Sequence, residues 1–317
     1  MASARQPRSV ARNSVPPDGG RDEPMIRAIP LGHPLRNTFA VIVLIILVAF
    51  LYDAFFLRTE YHWDQFAKYI FDHRVSEAAV NTLLLTVYSM VSGIVLGVVL
   101  AVMRLSPNPM LKAISWGYLW LFRGTPVYVQ LAFWGLLASI YRSIRVGLPF
   151  QTPLVEIPFA FPFDVFWLAV IGLALNEAAY MAEIVRAGIL SVDRGQEEAS
   201  TALGMSWFQT MQRVIIPQSM RVVIPPTGNE VISMLKTTSL VIAVPYSFEL
   251  YGRTRDISVS IFNPIPLLLV ASAWYLFFTS ILMVGQYFLE KRFARGLTMI
   301  DVAKNSGLDM KAMAGHV

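Results

Sequence analysis

Long apolar runs alternate with short polar intervals along most of this chain. The first covers 39–57. At about 1.5 Å per helical residue it is long enough to cross a hydrocarbon core of roughly 30 Å. Further runs fall at 78–103, 119–141, 165–186, 222–245 and 265–289. The pattern predicts an all-α fold: a polytopic membrane helix bundle with six transmembrane helices. Residues 1–37 carry Arg, Pro, Gly and Ser without an apolar period and are expected to be disordered. A cleaved signal peptide is the rival reading of 39–57. The preceding stretch is too long for an n-region and the apolar run too long for an h-region, so a retained helix is expected.

The chain therefore divides into a basic tail (1–37), an extra N-terminal helix with its outer loop (38–77), a membrane domain (78–293) and a C-terminal tail (294–317). Within the membrane domain, 193–217 is the long polar interruption. A segment at 147–162 holds Pro149, Pro153, Pro158 and Pro162 among large apolar residues. It reads as an irregular lid, an interfacial segment or a plain connector.

Charge placement orients the bundle. Six spans return both ends to one side. That side carries seventeen Lys and Arg: Arg5, Arg8, Arg12, Arg21, Arg27, Arg36, Arg104, Lys112, Arg186, Arg194, Arg213, Arg221, Lys291, Arg292, Arg295, Lys304 and Lys311. The other side carries seven: Arg58, Lys68, Arg74, Arg142, Arg145, Arg253 and Arg255. The positive-inside rule then places both termini and the 193–217 loop in the cytoplasm. Composition agrees with a membrane protein, at 55% hydrophobic and 15% charged residues against roughly 25% charged in soluble domains.

Some chemistries drop out. There is no cysteine, and His33, His62, His73 and His316 show no metal-ligand spacing. No G-x-x-x-x-G-K-[ST] phosphate loop occurs, so no cofactor is expected in this chain. No feature calls for a nucleic-acid partner.

The 193–217 loop has a readable local design. Asp193 and Gln196 are spaced as a capping box, with Glu197 and Glu198 in the first turn where the helix dipole favours acids. Ala199, Ala202 and Leu203 continue the helix, and Gly204 is placed for a left-handed end. Ser206 and Gln209 offer a second box, opening a helix expected to run to Pro217. Small residues on the first helix suit docking into a partner's groove.

Inside the membrane, Thr82, Thr86, Ser89, Gly93 and Gly97 fall on one helix face, a stripe suited to close helix packing. Ionisable residues in spans are costly and draw attention to function. Arg123 lies near the start of the third span, just before Pro126, and reads either as snorkelling or as part of a gate. Glu177 is twelve residues into the fourth span, roughly 18 Å down. Glu183 and Arg186 read as a local pair. The fifth span, opening with Pro225-Pro226, contains Glu230 and Lys236, about 120° apart around the helix, whereas Asn229, Ser233 and Lys236 share a face. Lys236 and Glu177 are expected at similar depth. They read as a clamp for the carboxylate and ammonium of an amino acid, or as a pair that holds the bundle.

Several stretches together resemble the polar-amino-acid permeases of bacterial ABC importers, the group that includes histidine, glutamine and arginine importers. They are Asn81-Thr82-Leu83, Phe122-Arg123-Gly124-Thr125-Pro126, Ala178 through Ile189, Gly195-Gln196-Glu197-Glu198-Ala199, Ile216 through Arg221 and Leu235 through Leu240. In particular, Glu198-Ala199-Ser200, three residues, Gly204, nine residues and Val214-Ile215-Ile216-Pro217 resemble that family's cytoplasmic EAA loop, with conservative replacements. The resemblance implies a five-helix type I ABC-importer core plus one N-terminal helix, in the bacterial inner membrane. It implies a dimeric pore, formed with a second copy or a sister permease. Partner ATPase subunits holding ATP and Mg would dock on the loop through Glu198, Ala199, Gly204 and Pro217. An extracytoplasmic binding protein would deliver the amino acid. The alternative is a stand-alone ion-coupled secondary transporter using Glu177, Glu230 and Lys236 as a relay. The paired internal repeats usual in such folds are not found, and no nucleophile, base or metal set suggests an enzyme.

Overall fold

The computed structural model describes residues 34–141, 143–146, 155–158 and 164–293. The expected basic tails therefore lie outside the described residues, except for 34–37. The chain forms two compact units, Met1–Arg58 and Thr59–Val317. The described part of the first is one helix, α1 (Pro34–Phe56), followed by an Asp53–Arg58 ion pair of 2.9 Å.

The second unit opens with α2 (Trp63–Tyr69) and α3 (His73–Leu105). Asp72 caps α3, accepting from the Arg74 backbone N–H at 2.9 Å and pairing with its guanidinium at 3.0 Å. The small stripe on α3 is buried throughout, as its spacing predicts, and α3 packs along α6 (Val165–Leu190). A Cβ placed at Gly93 would come within 2.8 Å of the Glu177 side chain. Glycine there is what allows the two backbones to approach so closely.

The expected third span is not one helix. It is split into α4 (Pro109–Gly124) and α5 (Val127–Ile140), with Thr125 and Pro126 extended between them. Proline lacks the N–H that would close the ladder on Phe122. The freed Phe122 carbonyl is instead taken by the Gln130 amide at 2.9 Å and the Asn176 amide at 3.1 Å. Because Asn108 and Pro109 start α4 ten residues before the expected beginning, Arg123 sits at its far end rather than its start. That corrects the expected placement of Arg123.

Beyond α5, β1 (Ser143–Val146) pairs antiparallel with β2 (Val155–Pro158). Part of the segment expected to be irregular is thus a strand; 147–154 and 159–162 lie outside the described residues. Helix α6 is capped by Asp164 and packs against α3, α4, α5 and the helix at Ile216–Thr237, which makes it the central helix of the unit.

The 193–217 segment holds α7 (Arg194–Ala202), α8 (Trp207–Thr210) and one π turn (Met211–Ile215), and runs into α9 (Ile216–Thr237). Two expectations fail here. Pro217 does not end a helix: it lies in the first turn of α9, where a missing N–H is tolerated, directly after the π turn. Pro225 and Pro226 lie inside α9 rather than opening it, and the Gln286 amide, on the last helix, reaches the Pro225 carbonyl at 2.8 Å. A side chain from a neighbouring helix is a usual support for backbone loosened by proline in membranes.

After α9 the chain tightens into a 3-10 segment (Thr238–Ala243), turns, and forms α10 (Leu250–Ser260), which the apolar pattern did not announce. Helix α11 (Pro264–Phe293) follows. Among the described residues four helices are long and apolar enough to cross a membrane: those at 38–56, 73–105, 165–190 and 264–293. The other two expected spans are the broken α4–α5 pair and the charge-bearing α9 with its 3-10 end. Buried clusters centre on Leu85, Leu131 and Leu173, on Val75, Leu250 and Leu267, and on Leu100, Leu119 and Ala178. Helices α3 and α11 turn Val87, Val91, Val95, Phe277, Ile281 and Val284 outward, apolar faces suited to lipid.

Candidate functional site

A cavity of about 550 Å³ opens where the α4–α5 break faces α6 and α9. Arg123, Gly124, Thr125 and Pro126 form one wall; Asn176, Glu177 and Tyr180 come from α6; Glu230, Ser233, Met234 and Thr237 come from α9. Those four α9 positions follow i, i+3, i+4, i+7, a single helical face.

Glu177 is 4% exposed, and its Oε1 has no hydrogen-bond partner among the described residues. Its stem lies in the space Gly93 leaves open. Glu230, half-buried, lines the same cavity from α9. The Arg123 guanidinium lies 5.4 Å from the Tyr180 ring centroid, a cation–π contact. The site thus gathers two carboxylates and one guanidinium.

The expected Glu177–Lys236 clamp is not brought together. Lys236 and Asn229 are exposed and do not line the cavity, although Ser233 does. The physical reason is rotation: the cavity face of α9 passes through Glu230 and Thr237, and Lys236 points about 100° away from Thr237. The cation in the cavity is Arg123.

Sequence reasoning missed the residues that shape this wall. Gln130 donates to the Phe122 carbonyl, to the Thr125 carbonyl at 3.0 Å and to the Thr125 hydroxyl at 2.7 Å. Asn176 donates to Gln130 Oε1 at 3.1 Å. Amides in otherwise apolar helices were the available signal. Glu183 and Arg186 do pair, at 2.7 Å.

The 193–217 loop keeps most of its expected design. Gly204 is left-handed, with φ +76°, and its N–H bonds the Thr201 carbonyl at 2.9 Å. Ser206 and Gln209 form both arms of a capping box. The first box is not closed: Asp193 caps through Gly195 N–H at 2.7 Å, while the Gln196 amide oxygen accepts from Gln218 at 3.2 Å, tying α7 to α9. Glu198, Ala199 and Gly204 are exposed. So are the apolar residues Leu203 (81%), Trp207 (62%) and Phe208 (66%).

Residues 93–295 match the family described as the binding-protein-dependent transport system inner membrane component. The chain belongs to this family. This permease is 58% identical over 277 residues to the arginine transport system permease protein ArgU of Corynebacterium glutamicum, covering 86% of this chain and 84% of that protein. It is 36% identical over 221 residues to the nopaline transport system permease protein NocM of Agrobacterium fabrum, covering 67% of this chain and 86% of that protein. Among solved structures, an amino acid ABC transporter with histidines aligns at 30% identity with a TM-score of 0.58, over 69% of this chain and 94% of that one. The permease is therefore the membrane-spanning subunit of an ATP-driven amino-acid importer, a transporter subunit and not an enzyme. As in its family, it works with an ATPase and a binding protein at the inner membrane.

Proposed function

We propose that the cavity at Glu177 is the station where this permease holds its substrate, and that the substrate is a cationic amino acid. The carrying observation is the charge set: Glu177 and Glu230 with Arg123, around a buried carboxylate oxygen that has no partner. An arginine-like molecule presents two cations and one carboxylate, the complement of that set. A buried carboxylate left unpaired costs several kcal/mol, so a cation that enters is held. The likeness to an arginine permease supports the reading.

The 193–217 loop, with Glu198, Ala199, Gly204 and Pro217, is the docking site for the partner ATPase, which carries ATP and Mg. Leu203, Trp207 and Phe208 add apolar contact there. The loop and both termini are cytoplasmic by the positive-inside count. The permease pairs with a second copy or a sister chain. Residues 1–37 and 38–77 are additions to the transport domain at 78–293, with 294–317 a tail. Ser233 lines this station, and Asn229 and Lys236, exposed on α9, serve the path outside it.

Uptake by the reconstituted importer, measured with L-arginine, L-lysine, L-glutamine and L-glutamate, tests the substrate class. Transport of the two cationic amino acids well above the others is expected. Preference for glutamine or glutamate would overturn it.

A further inference from the structure

A second cavity, of about 600 Å³, is lined by Tyr128 of α5, Ser239, Leu240 and Ile242 of the 3-10 segment, and Tyr251 and Arg255 of α10. It draws on the same two stretches of chain as the first. Val127 and Thr237 line the Glu177 cavity, and Tyr128 and Ser239 line this one. Helix α9 runs away from the 193–217 loop, so the second cavity lies at the opposite end of the bundle from that loop.

Its walls are fixed by a buried carboxylate. Glu249 is 1% exposed. It accepts hydrogen bonds from the Thr82 hydroxyl at 3.1 Å, the Thr238 hydroxyl at 3.4 Å and the Tyr275 hydroxyl. It also accepts from the backbone N–H groups of Tyr251 at 2.8 Å and Gly252 at 3.3 Å. One side chain therefore ties α3, the 3-10 segment, the start of α10 and α11 together. Two of the three cavity walls hang from it. A buried carboxyl group with this many partners is a rigid support.

Arg255 itself is exposed and has no ion pair within 4 Å among the described residues. A guanidinium presents a planar fork of donors that fits a carboxylate in two places at once. Set in a concave surface that it shares with Tyr128 and Tyr251, it acts through less water than on an open face. We propose that this second cavity is a vestibule in which Arg255 takes the α-carboxylate of the amino acid before the molecule reaches Glu177. The proposal rests on reading the Glu177 cavity as the substrate station. The two cavities act in turn: the vestibule takes the carboxylate first, and the inner cavity then holds the whole molecule between Glu177, Glu230 and Arg123.

The chain has no cysteine, so Ser239→Cys and Ser233→Cys each give a single reporter, one per cavity. In the permease–ATPase complex, the rate of thiol modification is measured with L-arginine and with agmatine, the same cation without its carboxylate. L-arginine is expected to slow modification at both positions, and agmatine only at 233. Arg255→Gln is expected to weaken L-arginine protection at 239 by about tenfold or more, the loss expected of a charge-assisted hydrogen bond, and to leave 233 protected. Arg255→Lys should restore part of it. Protection at 233 with none at 239 would overturn the vestibule and leave the inner cavity standing. Protection at 239 that survives Arg255→Gln would overturn the role of Arg255. Absence of protection at both positions would overturn both readings.

Discussion

Replacing Gln130 with Leu removes the side chain that stitches the α4–α5 break. The two N–H groups of its amide, shared among the Phe122 carbonyl and the carbonyl and hydroxyl of Thr125, are lost, along with the bond it accepts from Asn176. At about 0.6 kcal/mol per side-chain bond inside a membrane protein, three bonds sum to about 2 kcal/mol. The Phe122 carbonyl keeps Asn176, and the Thr125 carbonyl, at an exposed residue lining the cavity, turns to solvent. For a bundle of this size 2 kcal/mol corresponds to a fall in Tm of about 4–8 °C. Thermal unfolding of the detergent-solubilised complex reads this directly. Because Arg123 to Pro126 form a wall of the Glu177 cavity, substrate binding is expected to weaken as well. Asn176→Leu belongs to the same network, so the two losses should be clearly less than additive when combined. Unchanged Tm together with unchanged L-arginine binding in Gln130→Leu would refute the view that this amide holds the break.

Three further outcomes are expected. Glu198→Lys reverses a charge on the docking helix, and Gly204→Val costs about 1–2 kcal/mol in a left-handed turn; both should leave membrane insertion intact while binding-protein-stimulated ATP hydrolysis drops to the basal rate. Gly93→Leu drives a side chain into the Glu177 stem, where even a Cβ would sit 2.8 Å away; the yield of assembled complex should collapse, with Gly93→Ala intermediate, as measured by size-exclusion chromatography. A single cysteine at position 20 should resist an impermeant maleimide in intact spheroplasts and react after lysis, and labelling before lysis would contradict cytoplasmic placement of the N-terminal tail.

Local and periodic features were legible in the sequence. The apolar runs, the small stripe on α3, the Gly204 turn, the Ser206–Gln209 box and the Glu183–Arg186 pair all depend on residues a few positions apart. What escaped depends on distant partners or on helix phase. Pro126 announced a weakness, but its repair comes from Gln130 and from Asn176, 54 residues from the carbonyl it satisfies. Pro217, Pro225 and Pro226 read as boundaries, yet a π turn and Gln286 let the helix pass through them. Lys236 does not line the cavity with Glu177, whereas Arg123 does. Depth along α9 was readable, but the face turned to α6 was not, and the early start of α4 moved Arg123 to the cavity. Glu249 sits in a polar stretch where its burial had no local sign. Its partners Thr82 and Tyr275 are 167 and 26 residues away.

The central claim is that Glu177 holds a cation of the substrate, and equilibrium binding of radiolabelled L-arginine to the purified permease–ATPase complex tests it most directly. Removing one partner of a buried charge pair costs about 2–5 kcal/mol. On that basis Glu177→Gln should weaken binding about 30-fold or more, while the uncoupling variant Glu198→Lys binds as the unaltered complex does. Equal affinity in the unaltered and Glu177→Gln complexes would contradict the account.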